Sequence, residues 1–538
     1  MKKRMLGLLL ALCMVLTLMP VSALADDIDT AEQASQTGGI AAYAAGEHTD
    51  HCICGKEHEN IGDHTASKTV TYTAWESNDS LPDGGIYYLT QDVKLESGNN
   101  GSNITQDTTI CLNGHSITTS YAFNCITVKG AKLILTDCNK NPGYIFTTTA
   151  TTAVHSGLYL ASDYNYTTPG IAELYNISVK NCSSHGIYLS FYAWKANSPN
   201  VLRMYNANVT GNKDSGIYRY TSDDYKTDVY IYGGSLSYNG NNGIRLSKYD
   251  TLTMTGTTVT RNGNQGIAFY DTQKDAVITD CDISDNYGGI HAAMDANATL
   301  TIGGSTKIRN NARGNYGGIY LLSGNLILQG DTEITGNKSG SSSNGQGAGI
   351  YFDRSVSHPT LTIKDNVKIT GNKDSNKKDS NIAVYGAPSD PVLTIPSDNT
   401  FKGKVGFHLE SDFPTVDNPV NIVKGDYLPN FTHEGDTTKY ELAYDAATDH
   451  VQLQAAPYAE EPTRRSGIAY SGETQTGVFA GAGWTVVSGN TEATDAGDYT
   501  VTIKPRTGLT WSDSTTTAKT YNWSIRRADP ARKFFTIT

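Results

Sequence analysis

The chain has 538 residues and a formal net charge of −12 at pH 7, too long for one ordinary core and too acidic for nucleic acid, whose phosphates are bound through dense Lys and Arg. Its 53 Gly and 33 Tyr, with abundant Asn, Thr and Ser and sparse Leu, Lys and Glu, suit strands and turns better than helices. The expected class is all-β.

Residues 1–25 read as a secretory signal peptide. Lys2, Lys3 and Arg4 precede an apolar run from Met5 to Met19, and Ala23-Leu24-Ala25 supplies a small-x-small cleavage site before Asp26. A membrane span is the other reading, but it needs about 20 apolar residues and would not normally end in such a site. No later segment is apolar enough to span a bilayer, so the mature chain is expected to be secreted or at the cell surface, without membrane insertion.

Residues 26–66 are rich in Cys and His. Cys52, Cys54, His58 and His64 are candidate ligands of a structural zinc, because thiolate and imidazole are the usual donors and a segment poor in hydrophobes can be ordered by a metal. The Cys-x-Cys spacing departs from the commoner Cys-x2-Cys knuckle. A local disulfide or a solvated linker are the alternative readings. The chain has eight cysteines; Cys13 leaves with the leader, and the odd remainder is scattered rather than arranged as a disulfide framework.

Residues 67–455 are expected to form a parallel β-helix whose first coil is capped by Trp75 and its neighbours. Gly-Ile recurs at Gly186, Gly216, Gly243, Gly266, Gly289, Gly318 and Gly349, at intervals of 23 to 31 residues, which is one coil of three short strands. Upstream of most copies a Val, Leu or Ile is followed three positions later by Asn, as in Val209/Asn212, Val259/Asn262 and Ile334/Asn337. Asn suits that place because it tolerates a left-handed backbone and its amide can bond the same amide one coil away. Before Asn212 the place is taken by Cys182, which is expected to be a ladder residue. A leucine-rich repeat would need a helix per unit, and a β-sandwich would not repeat one signature seven times.

These landmarks resemble the "V-x-x-N...G-I-x-L" repeats of the pectate lyase-like superfamily of right-handed parallel β-helices, over about residues 85 to 455. The right hand is implied by that resemblance, not by the period. The stretch Leu81 to Thr90 with Cys111-Leu112-Asn113-Gly114-His115 resembles the first coil of β-helix domains in exported proteins of Gram-positive bacteria.

Residues 456–465 read as a linker. Residues 466–528, with Tyr470-Ser471-Gly472-Glu473, Trp484, Asp495-Ala496-Gly497-Asp498-Tyr499, Trp511 and Trp523, resemble the Ig-like modules of bacterial surface proteins, implying a small β-sandwich with core tryptophans. Residues 529–538 form a short tail without a wall-sorting signal, expected of a released protein or a truncated reading frame.

If the Ile of each Gly-Ile points inward, the next residue points out. Tyr188, Tyr218, His291, Tyr320 and Tyr351 would then form a strip with coils about 4.8 Å apart, and they are the candidate ligand-binding residues. Flat rings suit the apolar faces of sugars, so glycans or a host or cell-wall surface are the expected partners, in adhesion or carbohydrate binding. Tyr also favours exposed strand positions without any ligand. A polysaccharide lyase or glycoside hydrolase is the rival reading, with Asp280, Asp282 and Asp285 between Arg261 and Arg309 as the nearest group. Asp is also what turns require, and no catalytic residue can be assigned. A non-binding spacer is the third reading.

Overall fold

The computed structural model describes residues 50–52 and 69–527, outside the segments 96–101, 121–122, 138–141, 148–154, 164–166, 191–198, 220–225, 313–315, 341–346, 356, 387–390, 410–418, 435–439, 456–457, 480–482, 507–508 and 514. The expected leader, Cys54, His58, His64 and the tail beyond residue 527 lie outside the described residues. Cys52 is described only as the end of strand Asp50–Cys52, which pairs antiparallel with Thr69–Thr71. The expected zinc ligands therefore fall outside what is described.

The solenoid has about 11 coils and almost no helix. One face is a 12-stranded parallel sheet that begins at Thr73–Trp75 and ends at Thr360–Ile363. Two further faces are woven into a 24-stranded sheet: three-residue strands such as Thr258–Thr260, and strands that begin near each Gly-Ile, such as Gln265–Thr272. Equivalent residues pair in register, Ile187 with Ile217, Ile217 with Ile244 and Ile244 with Ile267. All four are fully buried. Burying such a side chain contributes about 1.5–3 kcal/mol, and a lone coil would leave both its edges open, so the core forms only by stacking. The glycine before each Ile has a steric origin. A Cβ at Gly243 would lie 2.6 Å from the Gly266 carbonyl oxygen of the next coil.

The Asn column forms as expected, with one difference. Asn212, Asn239, Asn262, Asn286, Asn311 and Asn337 are buried, and each side-chain amide donates to the next Asn Oδ1 at 2.8 to 3.1 Å. Cys182 heads the column, its backbone N donating to Asn212 Oδ1 at 3.0 Å. The left-handed residue, however, is the one before the ladder Asn: Asn181, Gly211, Tyr238, Arg261, Asp285, Asn310, Gly336 and Gly371 all have positive φ. Asn is selected there for the ladder alone, and the turn strain falls on its neighbour.

The parallel coil stack ends with Lys404–Leu409 against Phe431–His433. Val420–Lys424, Tyr440–Asp445 and His450–Ala455 then make an antiparallel sheet whose Ile422, Val423, Val451 and Leu453 join the same core. A small β-sandwich region follows. Its four-stranded sheet orders Ile468–Ala469, Lys519–Arg526, Gly497–Pro505 and Trp484–Gly489, around a core of Trp484, Val501, Ile503, Trp511, Trp523 and Ile525.

Candidate functional site

The outward residue after each inward Ile lies in a register column. Tyr159 pairs with Tyr188, Tyr188 with Tyr218, Tyr218 with Arg245, Ala268 with His291, His291 with Tyr320 and Tyr320 with Tyr351. Expected strip residues Tyr188, Tyr218, His291, Tyr320 and Tyr351 are thus brought into one line. Tyr159 belongs to it too, although its coil reads Gly157-Leu158 instead of Gly-Ile.

The rings stack along the solenoid axis, not outward. Tyr159 and Tyr188 are 5.3 Å apart at 11°, and His185 covers Tyr218 at 4.0 Å and 3°. The Arg245 guanidinium lies 5.3 Å from the Tyr218 centroid and 4.4 Å from that of Tyr270. Tyr270 is 4.8 Å from His291, and His291 meets Tyr320 edge-on at 5.2 Å. Tyr316 stacks on Tyr320 at 3.9 Å and on Tyr351 at 4.8 Å, leaving Tyr351 only 5% exposed. These contacts occupy ring faces along the strip, and Tyr351, expected to point outward, is instead buried beneath Tyr316.

Stacking by itself marks no site. On the 12-stranded face, Tyr175, Tyr205 and Tyr232 stack at 4.7 and 5.3 Å, and the neighbouring Glu173 is held by Lys132 at 3.0 Å and Arg203 at 3.3 Å. The sequence pattern missed this second column because no Gly-Ile marks it.

The strip opens beside Gly288. A cleft of about 160 Å³ is lined by Gln265, Gly288, His291, Tyr316 and Tyr320, with Tyr287 also contributing. Gly288 leaves its floor bare without steric need, since a Cβ there would meet only the Tyr316 carbonyl oxygen at 3.4 Å and Gln265 Cγ at 3.6 Å. Its neighbour Gly289 is different, because a Cβ would come within 2.3 Å of the Gly318 carbonyl oxygen. Gln265 is the register partner of Gly288, so the coil stack already accommodates a glutamine at that position. Gln265 Oε1 is buried and has no hydrogen-bond partner among the described residues, a costly state for an acceptor.

His291 Nδ1 lies 3.3 Å from the Phe269 carbonyl oxygen. A carbonyl only accepts, so the neutral ring carries its proton on Nδ1 and keeps Nε2 as an acceptor. Burial lowers the His291 pKa; the Phe269 contact raises it in part, and Arg245 lowers it again. Burial likewise pushes His185 down to about 4. Both rings are neutral at pH 7. A histidine held neutral resists protonation, so stability is retained above its unfolded value of about 6.5 and declines as pH falls below it. The His291 ring proton signals in NMR are expected to titrate below pH 6.5. A midpoint at or above that value would contradict the buried, neutral ring.

The acidic group does not converge. Asp280 and Asp285 have left-handed backbones, as does Arg261. Asp280 accepts from the Ser305 backbone N at 2.8 Å, Asp282 pairs with Arg309 at 2.6 Å, and Arg261 contacts the Tyr238 hydroxyl. These residues serve turns and surface pairs. Among the described residues no three His, Cys, Asp or Glu side chains gather as a metal site.

Residues 156–339 match the family model of the right handed beta helix region, a span that holds the strip from Tyr159 to Tyr320 and the ladder to Asn337. These coils form a right-handed β-helix. No curated protein matches the chain. Among solved structures it is similar to the enzymatically active domain of tailspike protein 2 of bacteriophage CBA120, at 12% identity and a TM-score of 0.30, over 83% of this chain and 65% of that one. It is also similar to full-length tailspike protein 2 of the Escherichia coli O157:H7 bacteriophage CAB120, at 13% identity and a TM-score of 0.29, over 83% and 58% of the two chains. The chain spans less than two thirds of either, and likeness at this level assigns no residue and no activity.

Proposed function

We propose that this right-handed β-helix belongs to an exported protein that binds carbohydrate in the cleft beside Gly288. The observation that carries the reading is a cleft floored by a glycine the fold does not require and walled by tyrosine, histidine and glutamine side chains. An empty floor among polar and aromatic side chains suits a ligand that carries many hydrogen-bonding groups, and sugars supply those on every face. Tyrosine hydroxyls and ring edges along the strip extend the same chemistry. Among the described residues no pair of carboxylates lines the cleft, which favours binding over glycoside hydrolysis.

A glycan array probed with the intact protein and with Gly288→Gln tests this reading. Glutamine reproduces the side chain present at position 265 one coil earlier and fills the cleft floor. The wild type is expected to retain a defined set of glycans, and the variant to lose them at least about tenfold with an unchanged melting temperature. Equal retention by Gly288→Gln, or no glycan retained by the wild type, would overturn the proposal and leave the rod as a spacer.

A further inference from the structure

We infer that Tyr287 is the aromatic platform of the cleft, on which a sugar ring lays one face of C–H bonds. The inference rests on the reading of the cleft as a carbohydrate site and adds the contact that orients the ligand there.

The coil stack leaves this ring uncovered. Tyr287 follows the ladder residue Asn286, and its backbone N donates to the Asn262 carbonyl oxygen one coil back. Gly263 makes the same bond to Asn239 in the coil before, and Ala312 the same bond to Asn286 in the coil after. Tyr287 therefore stands in a register column between a glycine and an alanine, neither long enough to cover a phenol. Gly263 is held small by sterics, since a Cβ there would lie 2.3 Å from the Gly240 carbonyl oxygen.

The turn that carries Tyr287 is also short. Four residues separate Asn239 from Ile244 and Asn262 from Ile267, three separate Asn286 from Ile290, and seven separate Asn311 from Ile319. Asn264 Nδ2 donates to Asn241 Oδ1 at 3.0 Å, but this side column gains no third member, because Gly288 is already the partner of Gln265 and no residue lies between it and Tyr287. The shortened turn sets a notch between its neighbours, and Tyr287, Gly288 and Tyr316 line it.

Exposure by itself marks no platform. Tyr238 is 42% exposed, yet the Arg261 guanidinium lies 5.3 Å from its ring centroid. Tyr218 and Tyr320 in the strip are stacked at 4.0 and 3.9 Å. Tyr287 is 40% exposed, borders the cleft and has no ring or cation contact among the described residues. Nor does the backbone ask for it, since turns favour Gly, Asn and Asp, and tyrosine is favoured in strands. The negative face of an aromatic ring attracts the slightly positive C–H bonds of a sugar face, while the sugar hydroxyls at the ring edge reach the polar lining.

The test uses the intact protein, a glycan that the array retains, and the variants Tyr287→Ala, Tyr287→Leu and Tyr287→Phe. Alanine and leucine are expected to weaken binding at least about tenfold, as truncation of an anchoring tyrosine does, with the melting temperature unchanged because the ring packs on nothing. Phenylalanine, which keeps the ring and drops the hydroxyl, should bind like the wild type. In proton NMR of the glycan with the protein, signals from one face of one sugar ring should move upfield under the ring current, and Tyr287→Ala should abolish the shift. Full binding by the alanine or leucine variant, a phenylalanine variant as weak as alanine, or no upfield shift with the wild type would overturn the inference. If Gly288→Gln abolishes binding in those cases, the cleft remains the carbohydrate site and only the platform is wrong. If Gly288→Gln binds normally, the site itself is misplaced and the platform falls with it.

Discussion

Replacing Asn286 by alanine is expected to destabilise the solenoid by about 4 kcal/mol, because one side chain serves three coils. Asn286 Oδ1 accepts from the Asn262 backbone N at 3.1 Å and from Asn262 Nδ2 at 2.8 Å. Its own Nδ2 donates to the Val259 carbonyl oxygen at 2.9 Å and to Asn311 Oδ1 at 3.1 Å. Alanine leaves the two Asn262 donors and the Val259 carbonyl without these partners in a region closed to water, and each such group costs about 1–3 kcal/mol. Asn286→Asp should be no better, since a carboxylate oxygen would face both the Val259 carbonyl and Asn311 Oδ1. Urea unfolding followed by circular dichroism measures the effect. A loss below about 1 kcal/mol would mean that the ladder is a consequence of coil stacking and not a cause of it.

Arg219→Leu is expected to cost about 3–5 kcal/mol, the range for an ion pair that loses one partner inside a core. Arg219 sits at an inward position held by Leu189 and Leu246 in the coils on either side, so leucine fits by shape. Its Nε lies 3.5 Å from Asp250 Oδ2, and Asp250 also accepts from the Thr227 and Ser247 backbone N atoms at 3.0 and 3.1 Å. Removing the guanidinium strands a fully buried carboxylate. Burial outweighs Arg219 and raises the Asp250 pKa to about 6, above its unfolded value of about 3.9. The folded state therefore holds a proton that the unfolded chain has released, and this contribution to stability is present below about pH 4 and is lost as pH rises through 6. The Arg219→Leu, Asp250→Asn double variant should be more stable at pH 7 than Arg219→Leu alone. A double variant that is less stable would show that the backbone contacts of Asp250, not the charge of its partner, set the cost.

Much of the fold is legible in the sequence because the solenoid demands the same residue at the same place. Gly before Ile is forced by the next coil's carbonyl, as at Gly243, and Asn three residues after a buried Val or Ile is forced by the ladder. The first coils are harder to read. There Cys125 precedes Ile126 in the glycine's place and Leu158 follows Gly157, since a cysteine is small and Leu fills the same core slot. Asn381 escapes notice for a related reason: only nine residues separate it from Asn372, yet its Oδ1 takes the Asn372 backbone N at 2.9 Å and its backbone N donates to Glu434 at 2.8 Å. Asn381 stands in the glycine's place before Ile382, within the same coil as Asn372, and takes the ladder's last bond there.

The site is less legible. Alternation says that Tyr188, Tyr218 and Tyr320 point out, but not whether their rings face solvent or each other, because that depends on side-chain rotation. His185 and Tyr316, which cover strip rings, come from turn positions that no repeat marks. Gly288 is the hardest case, since it stands beside Gly289 and looks like one more steric glycine. Only the distance to the next coil separates a residue the backbone requires from one that leaves a floor open.

The most direct test is a crystal structure of the protein with a glycan selected on the array. Density for a sugar between Gly288, His291 and Tyr320 is the predicted result. A glycan lying across parted tyrosines, or seated on the C-terminal sandwich with the cleft empty, would contradict it.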